Sequence, residues 1–171
     1  VYFDESYDND HQYLFYGALF VPSSSRLHER FLELRRELNY RPEVKYTRCR
    51  NERALSVCRR VVDTFMEDTA FFRCVVVDQH GFDYCMFARP HETLALAKAR
   101  AYKKFAEMLL HPSVKGITNA VFLADKLTRC RGDDFLEQIR VRFNPTGAVP
   151  TFRHLAEVPS EIEEYQCLQV C

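Results

Sequence analysis

What most narrows the fold of this chain is the order in which strand-like and helix-like segments follow one another. VYFDES is a short run of strand formers ended by charge, YDNDH is a polar turn, and QYLFYGALFVP resumes the strand pattern, so the first two elements read as a hairpin. Gly17 inside the second run marks a bulge or a close backbone approach. RLHERFLELRRELN sets Leu27, Phe31, Leu34 and Leu38 on one helical face, with Ser23 to Ser25 ahead of it to supply the N-cap. Asn51 caps a second helix whose stripe is Leu55, Cys58, Val62, Phe65 and Met66. FFRCVVVD has the β-branched and aromatic content of a central strand. His91 to Leu110 is the longest helix, with Leu94, Ala97, Ala101, Phe105 and Met108 aligned. NAVFLADKL reads as an apolar strand ending in a carboxylate, RGDDFLEQIRVRF as a short helix behind an acidic cap, TFRHLAEV as a last strand, and EEYQCLQVC as the start of another helix.

At 171 residues the chain suits one domain with a full core, spanning 1–171 and expected to continue beyond its last residue, because it stops inside an apolar run with helical spacing. Lysine and arginine number 24, as do aspartate and glutamate, so no global field pulls the protein onto nucleic acid or an anionic membrane and a polyanion site must come from local clustering. Seven cysteines with no C-x-x-C pair argue against a zinc site and for a reducing, cytoplasmic setting in which cysteine is a small buried apolar residue. No run approaches the length of a membrane span, and no signal peptide is expected.

Two helices lie between Arg26 and Glu67. With these taken as an insertion between the second and third strands, the remaining order is three strands, helix, strand, helix, strand and the beginning of a helix. That is the order of the ribonuclease H-like fold, an α/β architecture with a mixed sheet flanked by helices. In such a sheet the first strand lies beside AVFLAD, which brings Asp4 and Asp125 side by side near the strand ends. Carboxylates that close repel unless a cation or proton lies between them. Hard ions such as Mg²⁺ or Mn²⁺ take oxygen ligands and can activate water for phosphodiester hydrolysis. The local alternative is that Asp4 caps a turn and Asp125 opens a loop. Glu5 should point to the other sheet face. Asp78, closing VVVD, reads as structural.

Glu43 in RPEVKYT is the candidate third ligand, with Lys45 on the same face to touch a phosphate. Glu92, early on the longest helix, is the runner-up. His11, His80 and His91 fall in loops with no second ligand at suitable spacing. Basic residues cluster in KYTRCRNER, KARAYKK and DKLTRCR; most read as solvated faces, but the first and third, the latter with Lys126, flank Glu43 and Asp125, where a phosphate backbone has to pass.

The opening YFDES, the YGALFV strand, the Glu-x-Lys element EVKYT, the VFLAD strand and the terminal LQV resemble the domain-of-unknown-function family 3800, which is regarded as ribonuclease H-like. The resemblance implies a metal-dependent nuclease core in which Asp4, Glu43 and Asp125 match the family's acids and Ser6 the serine of its opening motif, with a positioning role. Gln169 matches the glutamine of a closing Leu-Gln-x-x-Asp motif, whose aspartate falls one residue past Cys171. Members commonly show glycine after the serine, where this chain has Tyr7. The expectation is therefore a Mg²⁺- or Mn²⁺-dependent nuclease acting on RNA or DNA. The competing expectation is a non-catalytic ribonuclease H-like module that binds nucleic acid or a partner protein, since fold does not establish activity. Oligomeric state is left open.

Overall fold

The computed structural model describes residues 1–7, 10–42, 44, 51–126, 133–159 and 167. Strands β1 (Tyr2–Tyr7) and β2 (Tyr13–Phe20) form the expected antiparallel hairpin. Its register runs unbroken from Tyr2↔Leu19 to Tyr7↔Leu14, so Gly17 marks no bulge; it stands directly opposite Asp4. Helices α1 (Leu27–Glu37) and α2 (Glu52–Met66) follow, then β3 (Phe71–Asp78), which pairs antiparallel with the far edge of β2. A 3₁₀ turn (Tyr84–Phe87) leads to α3 (Leu94–Leu110). Strand β4 (Ala120–Asp125) lies parallel to β1, and after α4 (Phe135–Phe143) strand β5 (Phe152–Val158) lies parallel to β4. Parallel neighbours need such long crossovers, because a tight turn can only reverse the chain. The result is a mixed α/β fold with sheet order β3-β2-β1-β4-β5 and two helices inserted between β2 and β3.

Side-chain alternation along the strands separates two cores. On one face Phe3, Tyr16, Ala18, Phe122, Ala124 and Phe152 pack against Ala101, Phe105 and Leu109 of α3 and Phe135, Ile139 and Phe143 of α4. Phe3 is the hub: its ring lies 5.7 to 6.4 Å from those of Phe135, Phe122, Tyr102 and Tyr16. Deleting a side chain so placed costs about 3–5 kcal/mol. On the other face Leu19 and Tyr2 meet Leu27, Phe31 and Leu34 of α1, Ala54, Val57 and Val61 of α2, and the buried Cys167.

The helix ends follow their local chemistry. Asn51 caps α2 as expected, accepting from the Ala54 amide at 2.9 Å. The serine run contributes through Ser25, whose hydroxyl accepts from Leu27 N at 3.0 Å and donates to Asp68 at 2.6 Å, although the N-cap position itself is Arg26. Thr93 caps α3, which starts three residues later than the His91 expected.

Four expectations need correction. FFRCVVVD is an edge strand rather than a central one: it has β2 on one side only, and Phe71, Phe72 and Val76 are exposed. The stripe of α2 is rotated: Ala54, Val57 and Val61 are buried, while Leu55, Val62 and Met66 are exposed. The α2 residues at the contact with α1 are small, an alanine and two valines. On α3, Ala97, Ala101 and Phe105 are buried as expected, but Leu94 and Met108 are exposed. The cysteines are not uniformly buried thiols. Cys58 is disulfide-bonded and Cys74 and Cys85 are exposed; Cys167 alone among the described free thiols is buried, which pushes its pKa up to about 12. No described helix is long and apolar enough to cross a membrane.

Candidate functional site

The β1–β4 pairing matches Tyr2 with Leu123 and Phe3 with Ala124. The next residue on each strand is an acid, so Asp4 and Asp125 stand at the same level on neighbouring strands, whose axes are about 4.8 Å apart. Phe3 and Ala124 belong to the core under α3 and α4, so alternation turns both aspartates to the opposite face, the one that α1 and α2 partly cover.

The registers resolve this face into rows. The row under the helices is Ala156, Leu123, Tyr2, Leu19 and Phe72. The next is Val158, Asp125, Asp4, Gly17 and Cys74; beyond it come Ser6, Phe15 and Val76. The acids are thus flanked by a buried valine on one side and by a residue with no side chain on the other. Both of these in-row neighbours are uncharged, and each aspartate has partners besides them.

Each aspartate also does local work, as the alternative reading held. Asp4 Oδ1 accepts from the Glu5 amide at 2.7 Å, and Asp125 Oδ1 from the Lys126 amide at 2.9 Å. A carboxylate has two oxygens and about four lone-pair sites, and each aspartate has a further interaction besides this bond. Oxygen donors of this kind suit Mg²⁺ or Mn²⁺. Yet among the described residues no group of three or more His, Cys, Asp or Glu side chains comes together that could hold a metal ion. The pair is a partial fit to such a cation, one acid short of the expected set.

Of the other expected site residues, Ser6 is exposed on the same face as Asp4, one row on. Lys126 is exposed at the end of β4, its amide also donating to Val158 O at 3.0 Å. Glu43, Lys45 and Gln169 lie outside the described residues. The stretch that runs into Glu43 is held from two sides. The Arg35 guanidinium donates to the carbonyls of Tyr40, Arg41 and Pro42, and that of Arg53 to those of Leu38 and Asn39.

Glu5 turns to the α3 face as expected and stands opposite Tyr16, whose phenol is pushed well above its ordinary pKa by burial first and then by Tyr84 and Glu5. Asp78 is structural, accepting from the His80 amide at 2.9 Å. Glu92, the runner-up acid, precedes α3 rather than lying on it. Both its oxygens take hydrogen bonds from Arg100, at 2.5 and 2.6 Å, and Oε2 also accepts from the Arg89 amide; the Arg100 bonds above all hold its pKa down to about 2. It acts as a clamp at the start of the helix. His11, His80 and His91 lie outside helices and strands, as expected.

One feature went unread in the sequence. Lys103 and Lys104 had the look of a solvated basic face, but Lys103 is buried and ion-paired with Asp133 at 3.0 Å and with Asp134. This pairing ties α3 to the start of α4 along a cleft of about 610 Å³ that Arg100 and Glu92 also line. Its only signal in the sequence was the doublet Asp133–Asp134 thirty residues downstream, next to a helix start. Comparison of the chain with protein-family models, with curated proteins and with solved structures finds no match.

Proposed function

We propose that this chain is a ribonuclease H-like module that binds nucleic acid, RNA or DNA, at the Asp4 and Asp125 end of its sheet through a divalent cation, Mg²⁺ or Mn²⁺. The observation that carries the reading is the matched level of the two acids on one face, from strands more than a hundred residues apart in sequence. Two like charges side by side are costly without a cation between them. A cation there supplies the charge that a phosphate group needs, and Lys126 stands beside it. On the described residues this is a binding module, because two acids fall short of the set that hydrolysis is expected to use. A cytoplasmic setting belongs to the same proposal; the free thiols of Cys74, Cys85 and Cys167 favour it and the Cys58 disulfide counts against it.

The second reading is a metal-dependent nuclease. It is favoured by the way β1 and β4, the strands that the expected element order brings together, each carry an acid directly after their matched segment. It requires Glu43 to complete the set. Thermal unfolding in EDTA and in Mn²⁺, with binding and cleavage of labelled oligonucleotides, separates the two for wild type and for Asp4→Asn with Asp125→Asn. Mn²⁺-dependent stabilisation and oligonucleotide retention without cleavage, both lost in the double variant, support the module. Cleavage that the double variant loses, and that Glu43→Gln also loses, supports the nuclease. A double variant that Mn²⁺ stabilises as much as wild type overturns both.

A further inference from the structure

We infer that the outer edge of β3 is a dimer interface: β3 of a second copy of this chain adds to it, antiparallel about a two-fold axis, and joins the two sheets into one. The interface uses neither Asp4 nor Asp125.

Among the described residues β3 is paired on one side only, by β2. A free edge presents a row of amides and carbonyls to any arriving strand, and monomeric proteins blunt it with short strands, bulges, proline or charge. Little of that protection is built into β3. It runs for eight residues, Phe71–Asp78, in unbroken register with β2, has no proline, and carries Arg73 as its one charge before the final Asp78. The strand at the opposite end of the sheet differs: β5 has a register shift against β4 and carries Arg153, His154 and Glu157 in seven residues.

The backbone and the side chains of β3 offer the same residues to a partner. Just past the ladder the Gln79 amide donates to Gln12 O at 2.7 Å, continuing the register of Tyr13↔Asp78. Alternate residues of an antiparallel strand turn their amide and carbonyl to opposite sides. The odd-numbered positions therefore bond β2, and Phe72, Cys74 and Val76 turn theirs to the outer edge. These three also share one sheet face, and all are exposed, Val76 to 55% and Phe72 to 39%.

Self-complementarity selects a second copy as the occupant. A two-fold axis normal to the sheet makes the new pair antiparallel and keeps like faces together, the isologous geometry of most homodimers. Centred on Cys74, it sets Phe72 opposite the partner's Val76 and Val76 opposite the partner's Phe72. An aromatic and a β-branched side chain then meet twice, a favourable cross-strand pair. Each of these pairs joins residues whose backbone groups face outward, so each can exchange two hydrogen bonds. The neighbouring registers are poorer. An axis on Arg73 apposes two guanidinium groups, and one on Val75 lays Phe72 against the partner's Asp78. An edge contact of this length belongs with the small, transient interfaces, so the dimer is concentration-dependent.

Sedimentation velocity of the full chain over a rising concentration series tests this, with a reversible dimer expected. Val76→Lys, at the most exposed position of the strand, should weaken association at least tenfold, because the axis repeats the lost contact; Phe72→Glu should do the same. Mixed together, the two variants should associate more tightly than either alone, since the mixed dimer keeps one native Phe72–Val76 contact and replaces the other by an ion pair. Cys74→Ser should dimerise like wild type but lose most of the cross-linking that a short bifunctional maleimide gives, while Cys85→Ser keeps it. A chain that stays monomeric up to about 1 mM, the weak end of the affinity scale, overturns the interface and leaves this edge to a strand of another protein. A dimer that Val76→Lys leaves as tight as wild type, or mixed variants that associate no better than each alone, overturns it too. Equal cross-linking of Cys74→Ser and wild type removes Cys74 from the axis and overturns the pairing.

Discussion

Replacing Asp125 by asparagine should stabilise the metal-free protein, which is the reverse of what most substitutions at half-buried positions do. The sheet holds Asp4 and Asp125 at the same level on adjacent strands, whose axes lie roughly 5 Å apart, and the repulsion is worked for charges at that spacing. At that separation two unit charges repel by about 0.8 kcal/mol in bulk water and about 3 kcal/mol at an effective dielectric of 20, the value suited to sites near a protein surface. Both side chains are half-buried and each has further partners, so about 1–3 kcal/mol is the ceiling of the relief. The substitution isolates charge well. Asparagine keeps an Oδ1 that can accept from the Lys126 amide, and its size is nearly unchanged. For a chain of 171 residues each kcal/mol moves the melting temperature by about 2–4 °C, so the variant should melt higher in EDTA, by several degrees at that ceiling. In Mn²⁺ the order reverses. A cation at one hundred times its Kd stabilises wild type by about 2.7 kcal/mol, and Asp125→Asn forfeits most of that. Thermal unfolding of both proteins, each with EDTA and with Mn²⁺, gives the four melting temperatures required. If Asp125→Asn melts lower than wild type in EDTA, the pair is not a site of stored repulsion. Asp125 then serves as the turn acceptor that its bond to Lys126 suggests, and the case for a cation falls with it.

Lys103→Met should destabilise by about 3–5 kcal/mol, because it leaves the Asp133 carboxylate, only 4% exposed, without its buried counter-charge; combining it with Asp133→Asn should recover much of the loss in urea unfolding. No recovery in the double variant would mean that Lys103 acts through its aliphatic stem instead. Glu92→Gln should flatten the acid limb of the stability profile. The carboxylate of Glu92 has its pKa lowered from 4.5 to about 2 by Arg100, so its contribution is fully present above about pH 4.5 and disappears as pH falls toward 2. Urea unfolding of variant and wild type at pH 3 and pH 6 checks this: the gap between the two should be clearly smaller at pH 3 than at pH 6, and an equal gap at both would refute it.

The elements themselves were legible from periodicity and end chemistry, because an Asn51 cap, a hairpin or an insertion between β2 and β3 is written in neighbouring residues. What could not be read was set by distant ones. FFRCVVVD announces a strand by its side chains, but edge or centre depends on which other strands arrive beside it, and β1 with its neighbour β4 occupies the other side of β2. The true contact face of α2 is made of alanine and two valines, a weaker apolar signal than the leucine and methionine it leaves outside. Lys103 looked solvated because its partners Asp133 and Asp134 follow thirty residues later. The candidate site divides in the same way. Asp4 and Asp125 could be coupled only by supposing a strand order, and the register agrees with that supposition; Glu43 and Lys45 fall outside the described residues.

The placement of the acids is inseparable from the aromatic core beneath them. On β1 every second residue faces that core: Phe3, with rings on four sides, is buried in it, and Glu5 stands opposite Tyr16. The residues between, Asp4 and Ser6, belong to the open face. A slip of one residue would drive Asp4 into the aromatic cluster and lift Phe3 out of it, exchanging a core residue for an unpaired charge. The energy that fixes the Phe3 ring therefore also fixes the level at which Asp4 meets Asp125. The same logic holds on β4, where Phe122 and Ala124 are fully buried and Leu123 and Asp125 alternate with them. The matched level of the two carboxylates is supplied from the far side of the sheet, by side chains packed on its other face.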